Sequence, residues 1–130
     1  MEPMRHTVRV LVVDDHTMMR DGLRSVLQDY DDIDVVGVAS NGREAVDVVD
    51  QLKPQVVVMD INMPQMDGIT ATAHIKARHP TMIVVGMSVN AGNEHRNAMV
   101  RAGAFSLISK EVAINQLHAA IVEAVKAGNA

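Results

Sequence analysis

Apolar residues occur along this chain in two patterns, short unbroken runs and stripes with a helical period. One unbroken run, Val56 to Met59, ends on the carboxylate of Asp60 and is followed by a loop with Pro64 and Gly68. An apolar run without alternation is typical of a strand buried on both faces, as in a parallel sheet covered by helices. Such a sheet has its ligand crevice at the carboxyl ends of its strands, where Asp60 would lie.

Similar runs predict four more strands, and five stripes with a period of 3.6 residues predict helices between and after them. Two X-Pro pairs, at 53–54 and 79–80, and Gly103 mark helix ends. This alternation predicts one α/β domain, a doubly wound parallel five-stranded sheet with helices on both faces in three layers. The predicted strands are residues 7–13, 33–39, 56–59, 82–87 and 105–108, and the helical stripes are residues 19–30, 45–52, 69–75, 98–102 and 114–125.

Length and composition restrict the class of protein. A chain of 130 residues fits a single domain, which we place at 7–127 between a leader (1–6) and a frayed end (128–130). The absence of Cys excludes disulfides and thiolate chemistry. A net charge of −4 without a basic block argues against nucleic-acid binding by this domain. No apolar run approaches the ~18 residues of a membrane span, and no signal peptide is evident, so we expect a cytoplasmic protein without membrane contact.

Polar side chains follow four of the five predicted strands: Asp14 and Asp15, Asp60, Ser88 and Lys110. The carboxyl ends of parallel strands lie along one edge, so we expect these groups to converge. Two unit charges about 4 Å apart repel by about 4 kcal/mol at an effective dielectric constant near 20. Three close carboxylates would therefore partly protonate or move apart unless a cation joined them. Oxygen ligands that leave room for water suit Mg²⁺, or Mn²⁺ in its place.

This set of groups suits phosphoryl transfer. Carboxylates act as nucleophiles and form aspartyl phosphates. The cation and Lys110 would neutralise the transferred group, and Ser88 would donate a hydrogen bond to one of its oxygens. Ser88 need not be catalytic, because its hydroxyl could instead move toward the new oxygens and displace its loop.

Four motifs in order, VVDD (12–15), VVVMDINMPQMDG (56–68), MS (87–88) and SK (109–110), make residues 7–127 resemble a receiver domain of two-component response regulators. Residues 14–27 and 39–46 are most similar to receivers of LuxR/NarL-type DNA-binding regulators. The resemblance implies a flavodoxin-like, CheY-like (βα)5 fold with strand order 2-1-3-4-5. It also implies that Asp60 accepts phosphate from a phosphohistidine on a sensor histidine kinase or histidine phosphotransfer protein.

The same resemblance implies roles for the remaining site residues. Asp15, Asp60 and the main-chain carbonyl of Asn62 would hold Mg²⁺, with Asp14 acting mainly through a water. Ser88 and Lys110 would contact the acyl phosphate.

The resemblance further implies partners. The helix 1 region would dock the kinase. The face formed by helix 4, strand 5 and helix 5 would signal to an output domain or protein that regulates transcription, and a phosphorylation-dependent homodimer is compatible with it. No catalysis is expected beyond the domain's own phosphotransfer and dephosphorylation.

Two residues depart from the usual receiver pattern. Leu107 stands three residues before Lys110, where Tyr or Phe is usual, and Val89 follows Ser88, where Ala or Gly is usual. Phe105 lies on the same side of the predicted strand as Leu107 but too far from the site to substitute. We therefore expect slow phosphorylation by small donors, because Val89 narrows the site, and weaker coupling to the output face.

The sequence fits several alternative functions to different degrees. A haloacid-dehalogenase-like phosphatase usually has a second Asp two residues after its nucleophile, whereas this chain has Asn62. A phosphorylation-independent interaction module and the receiver of a hybrid histidine kinase remain open. No GxxxxGK[ST] motif exists for a P-loop NTPase, and an FMN site fits the acidic loops and scarce aromatics poorly.

We expect His16 and Thr17 to serve the start of helix 1 rather than chemistry, with control of access to the acidic pair as the alternative role of His16. The remaining histidines lack zinc-ligand spacing: His6, His74, His79, His95 and His118.

Overall fold

Strands and helices alternate in the computed structural model, which describes residues 7–90 and 92–128. The predicted leader (1–6) and the last two residues of the predicted frayed end lie outside the described residues, and Gly128 closes the last helix. The strands are β1 Val8–Val13, β2 Ile33–Ala39, β3 Val56–Asp60, β4 Ile83–Ser88 and β5 Ser106–Ser109. The helices are α1 Thr17–Gln28, α2 Gly42–Leu52, α3 Gly68–Arg78, α4 Asn93–Ala102 and α5 Lys110–Gly128.

The strands form one parallel sheet in the order β2-β1-β3-β4-β5. The predicted fold class and strand order are therefore confirmed. Strand β3 is central, and all five of its residues are buried, as its unbroken apolar run predicts. Among the described residues, no helix is both long enough and apolar enough to cross a membrane.

Apolar residues on the two faces of the sheet form two separate cores. On one face, Val57 and Met59 pack with residues of α2, α3 and α4, such as Val49 and Ile75. On the other, Val56 and Val58 pack with α1 and α5. Successive residues of a strand point to opposite faces, so one apolar run serves both cores.

Local polar groups fix where α2 and α3 begin. The side chain of Asn41 accepts a hydrogen bond from the main-chain N–H of Glu44 at 2.8 Å, and Asp67 accepts one from Thr70 at 2.7 Å. Each satisfies a helix donor that has no partner inside the helix. A Cβ at Gly68 would collide with the main-chain carbonyl of Asp60, so glycine allows α3 to begin against the end of β3.

The region around β5 differs slightly from the sequence prediction. The strand begins at Ser106 rather than Phe105, and α5 begins directly at Lys110. The Phe105 side chain is 42% exposed, whereas Leu107 is 2% exposed and belongs to the core beneath α4. Ser106 is the first residue paired with β4, and the main-chain N–H of Phe105 just before it donates to the carbonyl of Val84 at 2.8 Å.

Candidate functional site

The register of the sheet brings the ends of its strands to one level. Val13, the last residue of β1, is paired with Met59, which immediately precedes Asp60. Asp60 is paired with Met87, and the next residue, Ser88, is paired with Ser109. The polar residues that end these strands or follow them therefore lie along a single edge, although nearly a hundred positions separate the first from the last.

Three carboxylates and one imidazole converge at this edge. Ligand atoms of Asp14, Asp15, His16 and Asp60 all lie within 4.8 Å of one another. Asp14 and Asp60 are buried, at 0% and 1% exposure, whereas the Asp15 side chain is partly exposed. The sequence prediction that the three acidic residues come together agrees with this geometry.

Lys110 is the ammonium that faces the buried carboxylates. Its Nζ lies 2.9 Å from Asp60 Oδ2 and 3.1 Å from Asp14 Oδ2. Burial of the ammonium opposes its charge, but hydrogen bonds and charge from Asp60 and Asp14 outweigh this, so the pKa of Lys110 is raised. Lys110 therefore stays protonated and links the end of β5 to the acidic cluster.

The carboxyl group of Asp60 does not ionise easily in this setting. Burial raises the pKa of Asp60 to about 6, and the neighbouring charge of Asp14 adds to the increase, although Lys110 acts in the opposite direction. Asp14 Oδ2, Asp15 Oδ1 and Asp60 Oδ2 are buried oxygens without a hydrogen bond of good geometry among the described residues. Three carboxylates therefore face a single ammonium, so negative charge and acceptor oxygens are in excess, which is the donor set that a small divalent cation requires.

Ser88 is placed at the same edge but its hydroxyl is bonded within its own loop. The hydroxyl donates to the main-chain carbonyl of Asn90 at 2.9 Å and accepts from the Asn90 N–H at 3.1 Å. The same carbonyl lies 2.9 Å from Nδ1 of His95, in the first turn of α4. Ser88 is therefore connected to α4 through one shared acceptor.

The remaining predicted positions lie around the rim. Asn62 is exposed in the loop after β3, and a role for its carbonyl stays a prediction. The Val89 side chain is 72% exposed beside Ser88, and Leu107 is buried against the position of Gly86.

Two residues at the start of α1, His16 and Arg20, have contacts in the site that were not predicted from the sequence. His16 Nδ1 lies 3.2 Å from Asp14 Oδ1 and 3.1 Å from Asp15 Oδ1, so its ring belongs to the acidic cluster. Arg20, one turn later, donates from Nη1 to the main-chain carbonyl of Asp14 at 3.0 Å. The i, i+4 spacing of two basic side chains directly after the acidic pair was the available signal.

Comparison with known proteins agrees with the geometry. The family model of the response regulator receiver domain matches residues 10–122. Response regulator GacA of Pseudomonas protegens is 38% identical over 114 residues, which cover 88% of this chain and 54% of that protein. A protein-glutamate methylesterase/protein-glutamine glutaminase of Methanococcoides burtonii is 40% identical over 111 residues, covering 85% of this chain and 32% of that protein. The chain thus spans about a third to about half the length of these curated relatives.

Solved structures show the same fold. The response regulator domain of CheB from Thermotoga maritima has a TM-score of 0.86 at 33% identity, covering 93% of this chain and 98% of that one. The signal receiver domain of NarL from Mycobacterium tuberculosis has a TM-score of 0.88 at 26% identity, with the same coverage. The chain belongs to the response regulator receiver domain family of two-component systems.

Proposed function

We propose that Asp60 accepts a phosphoryl group from a phosphohistidine on a sensor histidine kinase or histidine phosphotransfer protein. A carboxylate oxygen of Asp60 forms the new P–O bond as the P–N bond breaks, and the bonding pair returns to the donor imidazole. The observation that carries the proposal is the contact of Lys110 Nζ with Asp60 at 2.9 Å inside a cluster of three carboxylates, of which Asp14 and Asp60 are buried. We place this reaction in the cytoplasm, as predicted from the sequence.

Lys110 and Ser88 would act on the incoming group. The Lys110 ammonium already contacts Asp60 and Asp14, so it can neutralise charge that develops on the phosphoryl oxygens without moving far. The hydroxyl of Ser88 can donate to one of those oxygens only after it leaves the Asn90 carbonyl. Transfer would therefore favour a new position of the loop that follows Ser88.

Asp14, Asp15 and Asp60 are the residues that would hold Mg²⁺, or Mn²⁺ in its place, together with the Asn62 carbonyl predicted from the sequence. A bound divalent cation would offset the excess negative charge and orient the phosphoryl oxygens. The excess of carboxylate oxygens over donors, with Asp14 Oδ2, Asp15 Oδ1 and Asp60 Oδ2 all buried at this edge, supports this assignment.

The output surface would be formed by α4, β5 and α5. Exposed apolar side chains there, Val100 on α4 and Phe105 just before β5, support contact with an output domain or protein, or with a second copy of the chain. The name "Transcriptional regulatory protein" of one relative, MctR of Rhizobium johnstonii, supports transcription as the regulated process. The chemistry that we propose for this chain is its own phosphotransfer and dephosphorylation.

The test is incubation with acetyl phosphate or phosphoramidate and Mg²⁺, followed by mass spectrometry. We expect the wild type and Asp47→Asn, which changes an exposed carboxylate on α2, to gain one phosphoryl group. Asp60→Asn should gain none. Labelling that persists in Asp60→Asn would exclude Asp60 as the acceptor.

The same samples distinguish the rival functions. Sustained turnover of a phosphomonoester would favour a phosphatase. Absence of labelling in the wild type, with α4 amide shifts that ignore beryllofluoride, would favour a phosphorylation-independent interaction module.

A further inference from the structure

The imidazole of His16 stands at the open side of the acidic cluster with one nitrogen turned inward. Its Nδ1 is 3.1 Å from Asp15 Oδ1 and 3.2 Å from Asp14 Oδ1. The side chain is otherwise 69% exposed, so water can solvate the opposite edge of the ring. Neither contact is needed to start α1, because the His16 side chain makes no cap hydrogen bond.

The main chain fixes this ring at the cluster. The N–H of His16 donates to Asp14 Oδ1 at 2.8 Å, and its carbonyl accepts the first hydrogen bond of α1, from the N–H of Arg20 at 2.9 Å. The backbone on both sides of the Cα is therefore anchored. Because the backbone is fixed, the short side chain of His16 keeps Nδ1 near the carboxylates.

The separations of Nδ1 from Asp14 Oδ1 and Asp15 Oδ1 match those of neighbouring ligands on one small cation. Two ligands about 2.1 Å from a cation and at right angles to each other lie about 3.0 Å apart. Nδ1 meets this spacing with two carboxylates at once. Three oxygen donors and one imidazole nitrogen form a mixed set, in which nitrogen favours first-row transition ions over Mg²⁺.

We propose that His16 Nδ1 is a direct ligand of the divalent cation in this site and shifts its preference from Mg²⁺ toward Mn²⁺ and later first-row ions. The proposal rests on the metal site of the proposed function. Ligation uses the Nδ1 lone pair, so the ring proton lies on Nε2, toward solvent. In the alternative arrangement Nδ1 keeps a proton and donates it to the carboxylates.

The probe is Mn²⁺ alone, added to the full chain. Its binding is followed by the loss of the free-ion electron paramagnetic resonance signal, and its ligands by electron spin-echo envelope modulation, which detects a coordinated imidazole nitrogen. The variants are His16→Ala and, as a matched control, His118→Ala, which removes an imidazole that contacts the carboxylate of Asp32 at 2.9 Å, away from the cluster. Calorimetry of Mg²⁺ and Mn²⁺ binding gives the preference between the two ions.

We expect nitrogen modulation in the wild type and in His118→Ala, and none in His16→Ala. The preference for Mn²⁺ over Mg²⁺ should fall about tenfold in His16→Ala, or about 1.4 kcal/mol. Mn²⁺ bound without nitrogen modulation in the wild type, or modulation that persists in His16→Ala, would overturn the assignment of His16 and leave the carboxylate site standing. Failure of both cations to bind would overturn the metal site and this inference together.

Discussion

The hydroxyl of Ser88 donates to the carbonyl of Asn90 at 2.9 Å, and that same carbonyl lies 2.9 Å from Nδ1 of His95 on α4. One acceptor thus joins the buried end of β4 to the first turn of a helix on the proposed output face. If the Ser88 hydroxyl donates to another acceptor, the Asn90 carbonyl loses one of these two contacts. The arrangement gives a physical route from the site to α4.

Replacing Ser88 should separate phosphorylation from the response of this loop. In Ser88→Ala we expect beryllofluoride and Mg²⁺ to change the amide shifts of Val89, Asn90 and His95 about half as much as in the wild type, or less, because no hydroxyl changes partner. Labelling of Asp60 should persist. Ser25→Ala, an exposed serine on α1, is the control and should respond like the wild type. Equal responses in both variants would show that Ser88 does not transmit the change.

Shortening Val89 should speed phosphorylation by small donors. The side chain is 72% exposed beside Ser88, so removing two methyl groups should cost little stability and any change in rate can be assigned to access. We expect Val89→Ala to react about threefold faster with acetyl phosphate, equivalent to about 0.6 kcal/mol in the barrier. An unchanged rate, with unchanged unfolding in urea, would contradict the crowding of the site by Val89.

Truncating Met99 should loosen α4 more than any other element. Met99 is the single buried residue that α4 contributes among the described residues. Its end occupies space that glycine leaves at position 86. Met99→Ala should lower the free energy of unfolding by about 2–5 kcal/mol and reduce hydrogen-exchange protection first in residues 93–102. Val100→Ala, next to it but half exposed, should change stability by about 0.5 kcal/mol or less.

Removing the charge of Asp60 should stabilise the protein when divalent cations are chelated. The pKa of Asp60 rises from 3.8 to about 6 on folding, because burial disfavours the carboxylate. The folded state then holds its proton to higher pH than the unfolded chain, so ionisation lowers stability as the pH rises through this interval. Near neutral pH we expect Asp60→Asn to be more stable than the wild type by about 1–3 kcal/mol.

The pH dependence of that difference is the check. Urea unfolding in the presence of a chelator should show the advantage of Asp60→Asn shrinking as the pH falls and nearly vanishing by about pH 3, where Asp60 is protonated in both the folded and the unfolded state. Addition of Mg²⁺ at neutral pH should stabilise the wild type more than the variant. An advantage independent of pH would mean that the effect does not come from the carboxylate charge.

The fold was predictable because its signals are local and repeated. The run Val56 to Met59 has no polar interruption, and its shortness and its Pro and Gly flanks favour a strand covered on both faces over a buried helix. Each Pro or Gly boundary ends an element where backbone geometry requires it. The bounds of β2 agree with the predicted strand 33–39, and α3 ends at Arg78, directly before the predicted boundary at 79–80. The shift of β5 by one residue followed from pairing with β4, which is a contact between distant parts of the chain.

The sequence by itself determined which polar residues gather at the site, since polar groups directly after parallel strands must share one edge. The sequence by itself did not determine which side chains reach one another. Tertiary structure decided that Lys110 lies between Asp14 and Asp60, that Ser88 is bonded to its own loop, and that His16 faces the carboxylates. These contacts depend on side-chain directions at the ends of separate elements, and only the packed sheet and helices fix those directions.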